Sequence, residues 1–293
     1  MSKNYFKVLR AGINTTFQDL GRKNLYHIGI PFSGVMDNRN FLIANKLVGN
    51  KKNISITGDV NFVLKKKKEI IDGICYKSFS LENGDELDIT STNKSVYGYL
   101  AISGELDIKY QWSSCSTNTK AKIGANDGKK LDLNQKIHIS KINENLNHKS
   151  LNYINTKIQN IRILKGTNFD YFSEKGKDIF FNKEFTVSKL SDRMGMRLEG
   201  PKIENIVDTN IKSEGLIKGV IQVPADGNPI IMLSDHGTIG GYPKIGVVIT
   251  ADYDKLVQLT PGSKVKFKEV DLSSAETLFK LYDLETQNLI SQI

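Results

Sequence analysis

Apolar and polar residues alternate along much of this chain in short runs closed by Gly, Asn and Asp turns. Strand side chains point alternately to opposite faces, so a period of two predicts strands with one solvated face. Three segments share one layout. Leu81-Glu82-Asn83-Gly84-Asp85 leads into a strand over 86–90, Leu131-Asp132-Leu133-Asn134-Gln135 into one over 136–140, and Leu259-Thr260-Pro261-Gly262-Ser263 into one over 264–268. A period of 3.6 is rare. Asp37 is placed to cap a helix over 38–48 with Phe41, Ala44, Leu47 and Val48 on one stripe and Gly49 at its left-handed stop. Ser273-Ser274-Ala275-Glu276 matches a capping box opening a C-terminal helix with Leu278, Leu281, Tyr282 and Leu289 as its apolar face. Shorter helices are predicted after Thr167 and over 252–258. The expected fold is mainly β with a few short helices, a barrel or sandwich rather than alternating β and α units.

The polar stretch Asn143 to Asn160, rich in Asn and Lys and without Gly or Pro, divides the chain. Two β-rich subdomains are expected, over residues 1–155 and 156–293. Ile161-Arg162-Ile163-Leu164-Lys165-Gly166 after the divide is patterned like Phe6-Lys7-Val8-Leu9-Arg10-Ala11-Gly12 at the start, as related subdomains would be.

Hydrophobic residues at 39% and charged residues at 25% place the chain among globular proteins rather than disordered ones. No apolar run approaches the ~18 residues of a membrane span, so no membrane is expected as partner. Met1-Ser2-Lys3-Asn4 leads into a strand-like segment instead of a signal peptide, which predicts a cytoplasmic protein. Cys75 and Cys115 lie in no CxxC or His-flanked cluster and read as buried thiols. His27, His138, His148 and His236 lack ligand spacing, so no metal is expected on protein ligands alone. Forty-one Lys and Arg against 32 Asp and Glu leave a net +9. Lys65 to Lys68 is the one sizeable basic run, and no aromatic residues interleave with it, which argues against nucleic acid as the partner. Only six of the 41 basic residues are Arg, and Arg22, Arg39, Arg193 and Arg197 fall in or beside two motif-like segments. A planar fork binds anions in ways lysine does not, so this distribution predicts recognition of a small anion there.

Three segments carry candidate chemistry. In Thr15-Thr16-Phe17-Gln18-Asp19-Leu20-Gly21-Arg22, followed by Gly29-Ile30-Pro31-Phe32-Ser33-Gly34-Val35-Met36-Asp37, Gln18, Asp19 and Arg22 are groups that bind a carboxylate or amide. The loop then enters a helix N-terminus, where backbone N–H groups hold anions; an ordinary loop capped by Asp37 is the alternative. In Ser191-Asp192-Arg193-Met194-Gly195-Met196-Arg197-Leu198-Glu199-Gly200-Pro201, an extended chain puts Arg193, Arg197 and Glu199 on one face, as a bidentate anion site or as a solvated salt-bridge ladder. In Gln222-Val223-Pro224-Ala225-Asp226-Gly227-Asn228-Pro229, Ile230 to Leu233, and Ser234-Asp235-His236-Gly237-Thr238-Ile239-Gly240-Gly241-Tyr242-Pro243-Lys244, two acids flank a strand, paired glycines allow close backbone approach and Lys244 supplies a cation. Asp226 and Asp235 are candidates for acid/base work or Mg²⁺. Gly240 and Gly241 read equally as a tight hairpin, and His236 as a solvated loop residue.

TTFQDLGR, the Gly34 to Asn50 stretch, SDRMGMRLEGP, IQVPADGNPI and the stretch from Gly240 to Phe267 together resemble the KipA-like family, also called allophanate hydrolase subunit 2 or the biotin-dependent carboxyltransferase family. Ser116-Thr117-Asn118-Thr119-Lys120 with Gly124 and Gly128-Lys129-Lys130-Leu131 resembles a further stretch of it. Asp192, His236-Gly237 and Lys129 depart from the family's usual Asn, Arg or Gln, and Arg. The resemblance implies a cyclophilin-like β-barrel and a subunit of an ATP-dependent 5-oxoprolinase, working with KipI-like and LamB/YcsF-like subunits to hydrolyse 5-oxo-L-proline to L-glutamate, with ATP and Mg²⁺. It implies catalytic roles for Arg193, Asp226, Asp235 and Lys244, substrate contacts for Gln18, Asp19, Arg22, Asp37, Arg197, Glu199 and Gln222, and nucleotide contacts for Gly240, Gly241, Tyr242 and Lys244. Alternatives implied by the same family are carboxyl transfer to urea from biotin carried on a partner, since this chain has no biotinyl-lysine segment, and a regulatory module binding a KipI-like protein.

Overall fold

A computed structural model describes residues 4–50, 55–58, 64–66, 69–71, 76–89, 95–142, 147–152, 158 and 160–293. Within them the chain is mostly β with four α-helices: α1 (Asn38–Leu47), α2 (Glu174–Asn182), α3 (Thr250–Leu256) and α4 (Leu272–Ser291). It divides into two compact units. The first comprises Met1–Arg22, Ser33–Ile154 and Thr286–Ile293, and the second Lys23–Phe32 and Asn155–Glu285. Two short segments, 23–32 and 286–293, thus belong with the unit lying across the divide in sequence.

The first unit holds three small antiparallel sheets. Lys136–Lys141 is central to one, between Tyr5–Lys7 and Glu105–Leu106; Ser55–Gly58 lies between Thr16–Gln18 and Gly98–Leu100; Leu64–Lys66 lies between Glu69–Ile71 and Asp88–Ile89. Among the described residues the strand after the 82–85 turn comprises Asp88–Ile89, starting two residues later than expected, and Thr90 lies outside the described residues, as do Cys75 and Lys67-Lys68. Lys136–Lys141 keeps the predicted alternation, with Ile137 and Ile139 buried, and its core gathers Phe17, Cys115, Ala125 and Leu131. Asp37 caps α1 by accepting from Asn40 N at 3.0 Å, and Gly49 takes the left-handed turn at φ 68°. The helix is more enclosed than one stripe: Arg39, Ile43 and Asn45 are buried beside Phe41 and Leu47, while Ala44 is half-buried.

The second unit is built on a closed seven-stranded barrel, in the order Asn160–Lys165, Lys244–Val248, Val220–Gln222, Ile230–Met232, Gly195–Glu199, Phe185–Val187, Lys264–Glu269. Neighbours are antiparallel except at the closure, where 264–269 runs parallel to 160–165. Closure removes sheet edges, and the interior is filled by side chains. Ile161, Ile163, Phe185, Ile221, Ile231, Ile245 and Val265 are fully buried, and Phe180 from α2 stacks on Phe267 at 4.4 Å. Each such side chain removed from water is worth about 1.5–3 kcal/mol. Arg162 on the first barrel strand makes a forked ion pair with buried Asp252 of α3.

α4 begins two residues earlier than a Ser273 cap requires. Asp271 accepts from Ser274 N at 2.7 Å, a carboxylate being the stronger acceptor for the helix's free N–H groups. Leu278 and Tyr282 pack with Ile249, Ala251 and Ala275, and Leu289 packs with Ile43 and Leu47. Leu281, expected on that face, is 57% exposed, because a 100° step per residue carries it about a quarter-turn off the packed stripe.

Candidate functional site

In the first unit the residues of the 15–22 segment converge on the chain at 114–118. Asp19 Oδ1 accepts from Ser114 Oγ at 2.7 Å, Ser116 Oγ at 2.6 Å and Gly21 N at 2.9 Å, and Oδ2 accepts from Cys115 N at 2.8 Å. Burial pushes the Asp19 carboxyl up, but these four donors outweigh it and hold the group below its ordinary range, so it is a fixed anion. Gln18, fully buried, donates to Thr117 O and Thr16 Oγ1, and buried Arg22 donates to Ser116 O. Gly124 must be glycine: its φ is 99°, and a Cβ there would meet Ser116 O at 2.0 Å and Arg22 Nη2 at 2.7 Å. Asn118 closes the group, donating to Ser33 Oγ and accepting from Lys120 N and Ala121 N. Cys115 lies inside this cage, its thiol pushed far up by burial and by Asp19, which makes it a poor nucleophile. Asp37 stands apart in role: its carboxylate accepts from Asn40 N and Nδ2, so the helix N-terminus already holds an anion of its own.

The second unit gathers its polar residues around the barrel strands. Arg193, expected in an extended run with Arg197 and Glu199, lies before the strand Gly195–Glu199 and is buried, whereas Arg197 and Glu199 are exposed on that strand. Its fork closes on buried Asp235, Nε to Oδ2 at 2.8 Å and Nη2 to Oδ1 at 3.0 Å. Asp226 is on an exposed turn; burial raises its pKa, and hydrogen bonds from Asn228 N and Nδ2, with Lys202 and Arg197 nearby, bring it below its ordinary value. His236 is not a solvated loop residue. It is 1% exposed, its Nδ1 faces Gly237 O at 2.6 Å and its Nε2 faces Tyr26 Oη at 3.2 Å. A carbonyl only accepts, so Nδ1 carries the proton and Nε2 accepts from Tyr26. Burial pulls the His236 pKa down, which fits this neutral ring, and pushes that of Tyr26 up to about 12.

Lys244 opens the strand Lys244–Val248 and is 4% exposed; its Nζ donates to Glu214 Oε2 at 2.6 Å. Gln222, its ladder partner, donates to Tyr242 O at 3.0 Å. The paired glycines allow other parts of this chain to approach closely. A Cβ on Gly240 would stand 2.8 Å from Gln222 Nε2 and Leu216 Cδ1, and one on Gly241 3.0 Å from Ile211 O. Where side chains would stand, Gly240 and Gly241 thus face groups of this chain, as the Lys244 ammonium faces Glu214. Asp235 is committed to Arg193 and exposed Asp226 accepts from Asn228, and among the described residues no three His, Cys, Asp or Glu side chains come together to hold a metal.

The arginine distribution has an internal explanation. Arg10 pairs with Asp88, Arg22 with Ser116 O, Arg39 with Thr286, Arg162 with Asp252 and Arg193 with Asp235. Arg197 remains exposed. The anion recognition predicted from the Lys/Arg split is thus largely recognition of the protein's own acceptors. Sequence reasoning missed Ser114, Tyr26, Asn168 and Glu214. Each is a common residue outside any motif, and pairing across dozens of positions leaves no local signal.

The family described as Carboxyltransferase domain, subdomain A and B, matches residues 53–269. The chain is 32% identical over 290 residues to a 5-oxoprolinase subunit of Escherichia coli, and the match spans 92% of each. It is 26% identical to urea amidolyase of Saccharomyces cerevisiae, covering 97% of this chain and 18% of that protein. Its fold is that of the crystal structure of K. lactis urea amidolyase, at a TM-score of 0.86 over 99% of this chain and a fifth of that one, with 24% identity.

Proposed function

This chain belongs to the family of carboxyltransferase domains with subdomains A and B, and on that footing we propose that it is a subunit of an ATP-dependent 5-oxoprolinase, acting with KipI-like and LamB/YcsF-like subunits. The supporting observation is the end-to-end match to the Escherichia coli 5-oxoprolinase subunit, which takes in the same large share of both chains. The reaction is 5-oxo-L-proline, ATP and two waters to L-glutamate, ADP and phosphate. An unstrained lactam is a poor electrophile, and phosphorylating its oxygen supplies a leaving group. That step needs positive charge at the transferring phosphoryl and a holder for the substrate carboxylate. Lys244 is a buried cation whose partner is a part-exposed carboxylate, and we assign it to the substrate rather than to nucleotide. Arg193 and Asp235 neutralise each other and act as a rigid brace for the loop ahead of Gly195, with Asp19, Gln18 and Arg22 fixing residues 114–118.

The test is reconstitution. The purified chain alone releases no ADP, and the mixture of all three subunits releases ADP in proportion to oxoproline; a full mixture that releases none overturns the assignment. Carboxyl transfer from a biotin-bearing partner to urea is the second reading, favoured by the likeness to urea amidolyase over nearly all of this chain. Incorporation of labelled bicarbonate into a urea adduct by a partner complex would establish it instead.

A further inference from the structure

We propose that Lys244 and Asn168 form a seat for the carboxylate of a small acid substrate, and that Glu214 occupies this seat until the incoming carboxylate displaces it. The inference rests on the reading above only in naming 5-oxo-L-proline as the natural acid; the seat is argued from this chain's own geometry.

The seat is part of the barrel. Lys244 begins a barrel strand, and Asn168 is locked to it by two main-chain contacts: Lys244 N donates to Asn168 Oδ1 at 3.1 Å, and Asn168 N to Lys244 O at 3.3 Å. Because a backbone N–H only donates, Oδ1 of the amide must face it, which turns Nδ2 toward the Glu214 carboxylate. This close approach depends on Gly166, where a Cβ would stand 2.2 Å from Lys244 O. Both donors are 4% exposed.

The occupant is of a different kind. The Glu214 side chain is 45% exposed, on a two-residue strand, Glu214–Gly215, whose residues are both exposed and whose Gly215 has open space where a side chain would be. That strand pairs with Ile239–Gly240, and Gly240 backs onto Gln222, so the seat and its occupant are joined through one short ribbon. A buried ammonium requires an anion, but nothing in its surroundings requires that the anion be Glu214. The hydrogen bond from Lys244 overcomes the opposing effect of burial and, with the lysine's charge and the Asn168 amide, holds the Glu214 carboxyl below its ordinary range, as any carboxylate in the seat would be held. One lysine and one amide balance one negative charge, which selects a carboxylate over a phosphate dianion.

The experiment follows the Glu214 side-chain carboxyl by ¹³C NMR in the full chain while acetate or 5-oxo-L-proline is added. On saturation the Glu214 pKa returns toward the ordinary glutamate value, and Glu214→Gln binds either acid about tenfold more tightly because the competing occupant is weakened. Asn168→Ala weakens both acids. A Glu214 resonance unmoved at saturation, or unchanged affinity in Glu214→Gln, overturns the proposal. Acetate displacing Glu214 without oxoproline-dependent ADP release in the three-subunit mixture keeps the seat and removes the oxoprolinase reading. ADP release with Glu214 unmoved by either acid does the reverse.

Discussion

The buried charges of the second unit are fixed in pairs, and a single substitution exposes how much each pair depends on its partner. Removing Asp235 leaves the Arg193 fork in a nearly dry site, so Asp235→Ala is expected to destabilise the protein by about 3–5 kcal/mol, read as a shift in the urea midpoint. Gly166→Ala should cost about 1–3 kcal/mol or more, because the new Cβ meets backbone rather than a side chain that can swing away. His236 brings pH dependence. Its folded pKa lies below the ordinary 6.5, first through burial and then through Lys218, against upward pulls from Gly237 O and Asp235. The unfolded chain then takes up the proton more readily, so stability is at its full value above about pH 6.5 and falls as pH drops below it toward the folded pKa. Urea midpoints measured at about pH 8 and about pH 5.5 should differ in the wild type, and His236→Gln should reduce that difference. An unchanged slope in the variant would assign the effect to other groups.

Among the elements, helices declared themselves locally where their ends did. Asp37 and Gly49 bracket α1 as read from sequence, and Asp37→Ala should cost about 1–2 kcal/mol in thermal or urea unfolding through the lost bond to Asn40 N. For α4 two acceptors of similar kind lay two residues apart, and the local pattern favoured Ser273 where the folded chain uses Asp271. The strands 136–141 and 264–269 were legible because one face is buried and one solvated, so burial enforces the period of two. Arg193 was misplaced for the opposite reason. The extended face assumed for it ends where Asp192 turns the chain, its Oδ1 accepting from Met194 N and Gly195 N.

For the molecule as a whole, a net charge of +9 tells little about partners. Binding to a short DNA duplex is expected to vanish by about 0.15 M salt, as dispersed lysines neutralise phosphates without reading bases; saturable binding at that salt would reverse this. The sequence by itself determined the mainly β character, the family and most helix positions, because each depends on neighbours a few residues away or on motifs kept in order. Tertiary structure alone decided the strand order and the parallel closure of the expected barrel, that the arginines face internal acceptors, and that Lys244 meets Glu214 and Asn168. Lys244 finds Glu214 30 positions away, Arg39 finds Thr286 247 positions away and Asn160 pairs with Lys266 across the closure, so only the folded backbone sets which group meets which.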